Sequence, residues 1–430
     1  MSLHVAGLLR RTSAVFPKEG RFGAPRHRDL EGATGVSRRR PVSSQENDER
    51  LLDAALDEIA EVGVDRLGMS GVARRAGLTT GALYSRYENV NELAAAVWSA
   101  RVRDTHLGFI DDAIRLLVDG DTDVHLAEVT KELIAPSPET IAALELLALA
   151  RRVDELEEVV TPDLASRMKA WGATPRARAR RRRAQVIFTL GSMWGILLHS
   201  IPRNRHVQWD PMLERVARSF AQDYDIPSDR LVAESVGPVR ADVGDAAQNS
   251  LIDSVSAIAA RVGFERATAS RIARRSGLTS GAIYARYQTK DDLLAHAVEV
   301  LLAQRFADDL EANMYLFTAA DVGSATARVT GGYLSSPRRD WRIFRVEAQL
   351  AARHQPALAS TLDRVQEIAI DAYLEAIGAR TREEKRILDA LARFAQLVPL
   401  GLAYVDIVAA GIPATDWRDV FVPLLAPEPF

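Results

Sequence analysis

Two stretches of eleven residues, GLTTGALYSRY at 77–87 and GLTSGAIYARY at 277–287, lie 200 positions apart and are nearly identical. Between residues 73 and 93, twelve of 21 residues recur unchanged 200 positions later. Beyond the repeat, ELLALARR at 145–152 resembles EAQLAARH at 347–354. The chain is therefore interpreted as a tandem duplication, and its two halves are expected to fold alike.

The residues before each stretch predict a helix. Apolar side chains recur there at three- and four-residue spacing, which places them on one helical face. They are Leu51, Leu52, Ala55, Ile59 and Val62 in the first copy, and Leu251, Ile252, Val255, Ala259 and Val262 in the second. Both runs stop at a glycine, Gly63 or Gly263, as helix C-termini commonly do. No alternating run is long enough to indicate a sheet, so the predicted fold class is all-α.

Each repeat predicts a helix-turn-helix, with first-copy helices at about 47–62, 70–76 and 80–87. Gly77 suits the left-handed backbone conformation of the corner, and Thr79 is placed to cap the third helix. Leu83 and Tyr87 are four residues apart, so they face the core together.

The outward face of the third helix has the chemistry of a DNA-contacting surface. Gly81 lets the helix approach a partner closely, and Tyr84 offers a phenolic donor. Thr80 and Ser85 are hydroxyls that reach base edges or phosphates, and Arg86 suits phosphate geometry. The matching residues of the second copy are Ser280, Gly281, Tyr284, Ala285 and Arg286. The alternative is an ordinary solvated face, but a duplicated fold needs only its core to match, so the retained tyrosine and arginine favour DNA.

Composition and charge narrow the class of protein. The 430 residues include no cysteine, which excludes disulfides and cysteine-ligated metals, and no apolar run suggests a membrane span. The net charge of −3 is unevenly distributed: residues 1–44 carry +6, residues 70–87 carry +3 and residues 270–287 carry +4. Positive charge confined to a tail and two matching segments indicates a polyanionic partner.

VARRAGLTTGALYSRYENVNEL and IARRSGLTSGAIYARYQTKDDL resemble the DNA-binding domain of the TetR/AcrR family of bacterial transcriptional regulators. Each match covers about 50 residues. The helical segment after each match is similar to the family's effector-binding and dimerising domain in length and helicity only. Family members usually carry one such unit and dimerise, whereas this chain looks like two units fused.

Together the face and the resemblance predict the DNA-contacting residues. In the first unit they are Arg74, Arg75, Thr79, Thr80, Gly81, Tyr84, Ser85 and Arg86. In the second unit they are Thr268, Arg271, Arg274, Arg275, Thr279, Ser280, Gly281, Tyr284, Arg286 and Lys290. No catalytic residue, cofactor or metal ligand is predicted, and no ligand-binding residue is assigned.

Three positions lose a polar or charged contact in the first unit. The resemblance implies that a threonine opening the second helix and a lysine opening the fourth meet phosphates. The differing pairs are Thr268 and Gly68, Arg271 and Gly71, and Lys290 and Val90. Each lost phosphate contact lowers affinity and its salt dependence, so the first unit is predicted to bind DNA more weakly.

The predicted architecture has six parts. Residues 1–45 form a disordered basic tail, 46–96 the first helix-turn-helix domain and 97–222 the first helical bundle. Residues 223–247 form a Pro/Gly-punctuated linker. Residues 248–297 form the second helix-turn-helix domain and 298–430 the second bundle.

The apolar segments VIFTLGSMWGILL and ALARFAQLVPLGLAYV are predicted to pack on each other, giving an intramolecular pseudo-dimer; a further homodimer is left open. The arginine-rich stretch before VIFTLGSMWGILL is expected to pair with acids such as Glu155, Glu157 and Glu158.

Aromatic residues of both bundles are interpreted as core or as the lining of a ligand cavity. They are Trp98, Phe109, Trp171, Phe188 and Trp194, and Tyr315, Phe317, Tyr333, Trp341 and Phe344.

The predicted function is a cytoplasmic bacterial regulator that binds double-stranded DNA at an imperfect palindrome or unequal half-sites. The resemblance implies repression relieved by a small apolar effector. The alternatives are an activator of the same fold and a helical ligand-binding or scaffold protein that has lost DNA binding. An enzyme is not predicted, because His-Glu-x-x-His, Gly-x-Ser-x-Gly and Glu-x-x-His motifs are all missing from the sequence.

The arginine-rich tail, with SRRR at 37–40, is hypothesised to act as an arm along phosphates or in a minor groove. The alternatives are a solvated tail and a misassigned start codon. If the arm exists, deleting residues 1–44 lowers the slope of log affinity for DNA against log salt. An unchanged slope would reject the arm.

Overall fold

The structure is a computed structural model that describes residues 44–174, 179–201, 207–226, 229, 231–316, 321–377, 381–409 and 415–426. Within these ranges the side chains of 305–316, 373, 376, 377 and 382–387 are not described. All regular elements of the described residues are helical, so the predicted all-α class is confirmed. Residues 1–43 of the predicted basic tail, Phe317, Arg176 and Arg178 lie outside the described residues. Residues 44 and 45 of the predicted tail begin the first helix, three residues before its predicted start near residue 47.

The first half begins with the helix-turn-helix and continues into a bundle. Its helices are α1 (Ser44–Val62), α2 (Met69–Ala76), α3 (Thr80–Tyr84), α4 (Val90–Val97), α5 (Arg103–Ile114), α6 (Leu126–Ile134), α7 (Pro138–Ala150), α8 (Asp154–Ala170), α9 (Arg180–Ser200) and α10 (Asp210–Ala221). A 3-10 turn, Val64–Arg66, follows α1, and π-helical turns, Trp98–Val102 and Arg115–Asp119, flank α5.

The second half repeats this order. Its helices are α11 (Ala246–Val262), α12 (Ala269–Ser276), α13 (Ser280–Tyr284), α14 (Lys290–Leu316), α15 (Val322–Tyr333), α16 (Arg339–Ala352), α17 (Pro356–Ile377), α18 (Arg382–Val408) and α19 (Arg418–Leu424). The described residues between α10 and α11 form no helix, and the amide of Glu234 donates to the carbonyl of Arg328 in α15 at 3.1 Å. The intervening segment therefore packs against the second bundle.

The third helix of each helix-turn-helix is shorter than the sequence pattern predicts. α3 ends at Tyr84 rather than near residue 87, because the amides of Arg86 and Tyr87 both donate to the carbonyl of Leu83 and close a turn. Asn89 then adopts an extended conformation and caps α4. Ser85 and Arg86 consequently lie in a turn beyond the helix.

Glycines bring α9 and α18 into close contact at the centre of the molecule. A Cβ atom on Gly401 would overlap the carbonyl of Gly191, and one on Gly195 would overlap the carbonyl of Leu397. Aromatic rings pack around this crossing; Trp194 meets Tyr404 edge-on, with ring centroids 5.3 Å apart. The two halves therefore pack through the predicted apolar segments as an intramolecular pseudo-dimer.

The first three arginines of α9 pair with acids as predicted, but their partners are not Glu155, Glu157 or Glu158. Arg180 contacts Asp419 at 3.0 Å, and Arg181 contacts Asp223 at 2.9 Å. Arg182 pairs with Asp119. Burial of α9 against the other half decides these partners, because it directs Arg180 towards α19 of the second half rather than towards α8.

The aromatic residues of the bundles are mostly core. Trp98, Phe188, Trp194, Tyr333, Trp341 and Phe344 are buried. Length and composition alone would let the segment Leu388–Val408 cross a membrane, but 61% of its apolar window is buried, as expected of the core helix α18. The side chain of Tyr315 is not described.

The glycine crossing predicts that Gly401→Ala lowers the free energy of unfolding by about 2 kcal/mol or more, because the methyl group has no space between the backbones. The matched control is Gly108→Ala in α5, where a Cβ atom meets nothing within 4 Å. This change is expected to be neutral or to stabilise by up to about 1 kcal/mol. Chemical denaturation of both variants measures the difference, and equal stabilities would contradict the close packing.

Candidate nucleic-acid interface

The corner of each helix-turn-helix has the predicted backbone conformation. Gly77 and Gly277 are left-handed, with φ of 65° and 71°. Thr79 accepts a hydrogen bond from the amide of Ala82 at 3.2 Å, and Thr279 caps α13 in the same way. These threonines are exposed, so each caps its helix and still lies on the candidate surface.

The outward face of α3 and α13 is solvent-accessible as predicted. Tyr84 and Tyr284 are 58% and 56% exposed, which is unusual for large aromatic residues in this chain. A Cβ atom on Gly81 would have only Thr79 Oγ1 within 4 Å, at an ordinary 3.8 Å, and Gly281 has equivalent space. The fold therefore does not require a glycine at these positions. Thr80, Ser85, Ser280 and Ala285 are also exposed.

The guanidinium groups of Arg86 and Arg286 form ion pairs and hydrogen bonds with other residues of the protein. Arg86 pairs with Asp48 near the start of α1 and donates to the carbonyl of Ala82 at 2.8 Å. Arg286 lies 3.5 Å from Asp245 and also donates to its own helix, at the carbonyl of Ala282. The arginines therefore brace the recognition helix against the first helix, and a phosphate contact by either stays a prediction.

The remaining arginines differ between the units. Arg75 contacts Glu58 at 3.2 Å and also pairs with Glu61. Arg275 has neither partner, because the second unit carries Ile258 and Arg261 at the matching positions. Arg74 and Arg274 are exposed and have no ion pair within the described part of the chain.

The predicted phosphate anchors of the second unit lie around α12 and at the start of α14. Thr268 caps α12 by accepting from the amide of Arg271 at 3.4 Å, whereas Gly68 offers α2 no side-chain cap. Arg271 donates to the carbonyl of Arg266 at 2.8 Å. Lys290 begins α14 and lies 3.2 Å from Asp291. The structure thus places Thr268 at the N-cap and Arg271 in the first turn of α12, and Lys290 in the first turn of α14.

The corresponding 47-residue segments of the two units, 51–97 and 251–297, have net charges of opposite sign. Residues 51–97 contain seven acidic and four basic residues, a net −3, whereas residues 251–297 contain four acidic and seven basic residues, a net +3. Much of the difference arises in the first helix, where α1 carries acids at positions that are uncharged or basic in α11. A polyanion is therefore attracted more strongly to the second unit.

The two helix-turn-helix units contact each other through a reciprocal ion pair. Arg66 pairs with Glu265, and Arg266 lies 3.6 Å from Asp65. Asp65 and Arg66 of the first unit correspond to Glu265 and Arg266 of the second, 200 positions later, so the two ion pairs are related by the pseudo-twofold symmetry. The sequence contains the signal, an acid followed by arginine at 65–66 and again at 265–266, although sequence analysis missed it.

A second reciprocal set of ion pairs joins the bundles just behind this contact. Arg353 contacts Glu145 at 2.7 Å, and Arg151 contacts Glu347 at 2.5 Å. Arg353 also donates to the carbonyl of Ala60 near the end of α1. The first helix-turn-helix is therefore held by an arginine from the opposite half of the chain.

Burial perturbs two titratable groups in this junction. Burial lowers the pKa of His354 to about 4, aided by Arg353 and Arg66. The ring of His354 lies over Gly63, where a Cβ atom would come within 2.8 Å of Nε2. Burial raises the pKa of Glu145 to about 7, although Arg353 opposes the rise.

An open cavity of about 510 Å³ lies in the first bundle. Charged residues line it, among them Asp111, Arg115, Asp119 and Arg182, together with the apolar residues Ile114, Ala170 and Trp171, so its lining is mixed. The indole of Trp171 donates to Asp111, and Arg182 pairs with Asp119. Of the predicted aromatic lining residues, Trp171 lines this cavity.

Comparison with known proteins gives a separate match for each helix-turn-helix unit. Residues 51–97 and 251–297 each match the sequence profile of the bacterial regulatory proteins of the tetR family. The HTH-type transcriptional regulator SrpR of Pseudomonas putida is 31% identical over 77 residues, which are 18% of this chain and 36% of SrpR. An uncharacterized HTH-type transcriptional regulator, TtgW of Pseudomonas putida, is 31% identical over 77 residues, 18% of this chain and 58% of TtgW.

A third relative is an uncharacterized HTH-type transcriptional regulator of Mycobacterium tuberculosis, which is 26% identical over 125 residues. These residues make up 29% of this chain and 64% of the relative. The chain thus spans between about one third and just under two thirds of the length of the three relatives.

Burial of His354 in the junction predicts that the stability of the protein depends on pH and that the substitution His354→Gln changes this dependence. Because the folded-state pKa of His354 is depressed to about 4, its contribution to stability is present above about pH 6.5 and lost as pH falls towards 4. The stability of the variant relative to wild type is therefore expected to rise as pH falls through this window. Glu145 changes stability in the opposite sense, but it is common to both proteins.

Urea denaturation between pH 4 and 8 measures this difference. His125→Gln is the matched control, because His125 is exposed at the start of α6 and should leave the wild-type profile unchanged. Parallel profiles for His354→Gln and wild type would contradict the predicted burial of a neutral imidazole.

Proposed function

We propose that the chain is a transcriptional regulator that binds double-stranded DNA with both segments that match the tetR family, residues 51–97 and 251–297. One observation supports this most directly: each recognition helix exposes a tyrosine beside a glycine that the fold does not require. Such a face suits the major groove, because a bare backbone approaches base edges closely.

The two half-sites are proposed to be unequal. Thr80 and Ser280 differ, as do Ser85 and Ala285, so the base contacts need not match. The second unit adds Thr268, Arg271 and Lys290 as phosphate anchors, whereas the first has Gly68, Gly71 and Val90. The site is therefore an imperfect palindrome whose second half contributes more of the affinity and of the salt dependence.

The proposed mode of action is repression in a bacterial cytoplasm, relieved by a small effector that shifts the bundles. The support is the coupling of the units to both bundles through Glu145 and Arg353, because movement of one half against the other displaces α1. The cavity at Trp171 has a lining of charged and apolar groups, so the proposed effector combines hydrogen-bonding groups with the apolar part that the family resemblance implies.

Selection of random duplexes with the purified full chain tests the proposal. Wild type is expected to enrich two different half-sites separated by about one helical turn. The proposal of DNA binding fails if no sequence is enriched at low salt, and the proposal of two units fails if only one half-site is protected in a footprint.

Gly281→Ala in the selected complex is expected to weaken specific binding about tenfold or more, because a methyl group then lies between helix and groove, while the folded protein stays stable. The matched variant Gly81→Ala should act on the other half-site and lose less affinity. Fluorescence anisotropy against both half-sites separates the two effects.

A further inference from the structure

We propose that Glu58 is an intramolecular substitute for a DNA phosphate, which occupies Arg75 and keeps the first unit in a weakly binding state. This inference rests on the proposed DNA binding and assigns part of the inequality between the two units to one carboxylate. The lost anchors Gly68 and Val90 remove contacts, whereas Glu58 actively blocks one that the sequence retains.

The contacts of Glu58 support the assignment. Its carboxylate lies 3.2 Å from Arg75 Nε, and its side chain is only 14% exposed. Arg75 also pairs with Glu61, so one guanidinium faces two carboxylates from α1. A guanidinium binds a phosphate through the same paired donors that it presents to a carboxylate, and Arg75 already uses Nε and a terminal nitrogen on these acids, so a bidentate phosphate contact must displace at least one of them.

Gly71 makes room for this arrangement. A Cβ atom on Gly71 would overlap the carboxylate of Glu58, so a residue with a side chain there would displace it. In the second unit the matching residues are Arg271 and Ile258, which give an arginine at the surface and no carboxylate beneath it. The same space is therefore occupied differently in the two units. The first unit has Gly71 and the carboxylate of Glu58, and the second has Arg271 and Ile258.

The consequence differs from a general effect of net charge. To contact a phosphate, Arg75 must leave its acids, and Glu58 then remains close to the phosphate backbone and repels it. Removing Glu58 frees Arg75 Nε and removes one repulsion, and the acid that still holds Arg75 is then Glu61, whose side chain is 62% exposed and screened by water. By contrast, Asp57 on the same helix is exposed and makes no ion pair within the described residues, so its removal changes only the long-range field.

Binding of the full chain to a fluorescein-labelled random-sequence 30-base-pair duplex tests the inference, because such a duplex reports phosphate contacts alone. Glu58→Gln is expected to raise affinity about fivefold or more and to steepen the slope of log affinity against log salt by about one. The matched control Asp57→Asn removes the same charge and should raise affinity less than about twofold at an unchanged slope.

Arg75→Ala completes a double-mutant cycle. It should change wild-type binding little and abolish the gain produced by Glu58→Gln. Equal gains from Glu58→Gln and Asp57→Asn, or a gain that survives Arg75→Ala, would overturn the role of Glu58 while leaving DNA binding intact. If neither wild type nor any variant binds duplex at low salt, the proposed function itself fails, and the inference fails with it.

Discussion

Close approach of two helix backbones is the constraint on which the molecule depends. Gly191 and Gly195 of α9 and Gly401 of α18 leave no space for a side chain between the helices. Tight backbone contact maximises dispersion and buries the aromatic shell around Trp194 and Tyr404. Because each helix belongs to one half of the chain, this crossing sets the position of both bundles and hence of the domains attached to them.

The charged junction converts that position into a fixed relation between the helix-turn-helix units. Arg66 with Glu265 and Arg353 with Glu145 both join one half to the other, and each has a pseudo-symmetric counterpart. The exposed pair of Arg66 and Glu265 contributes little stability. The buried pair of Arg353 and Glu145 also contributes little net stability, but removal of one partner leaves an uncompensated charge. The junction therefore acts chiefly to specify geometry. The surface charges of the two helix-turn-helix units do not follow this symmetry, so the backbone is pseudo-symmetric but the two candidate DNA-binding surfaces differ in charge.

Much of the fold could be predicted because its signals are local. Gly77 in a tight corner, Thr79 as a cap and Leu83 in the core follow from residue type and spacing, and the structure confirms them. Side chains with long-range partners could not be predicted in this way. Arg86 has the residue type of a phosphate contact, yet it binds Asp48, 38 positions away. Arg180 likewise meets Asp419, which only the packing of the two halves brings close.

Because the two units are fused in one chain, they can differ from each other, and the molecule then has two distinguishable ends. In a symmetric dimer the two DNA-binding units are interchangeable, so the complex is the same after a half-turn. Here one unit carries −3 and the other +3, and both belong to one chain. On the unequal half-sites proposed above, such a protein would bind the duplex in one defined orientation. Its bundles, and any surface that meets the transcription machinery, would then face one chosen side of the operator.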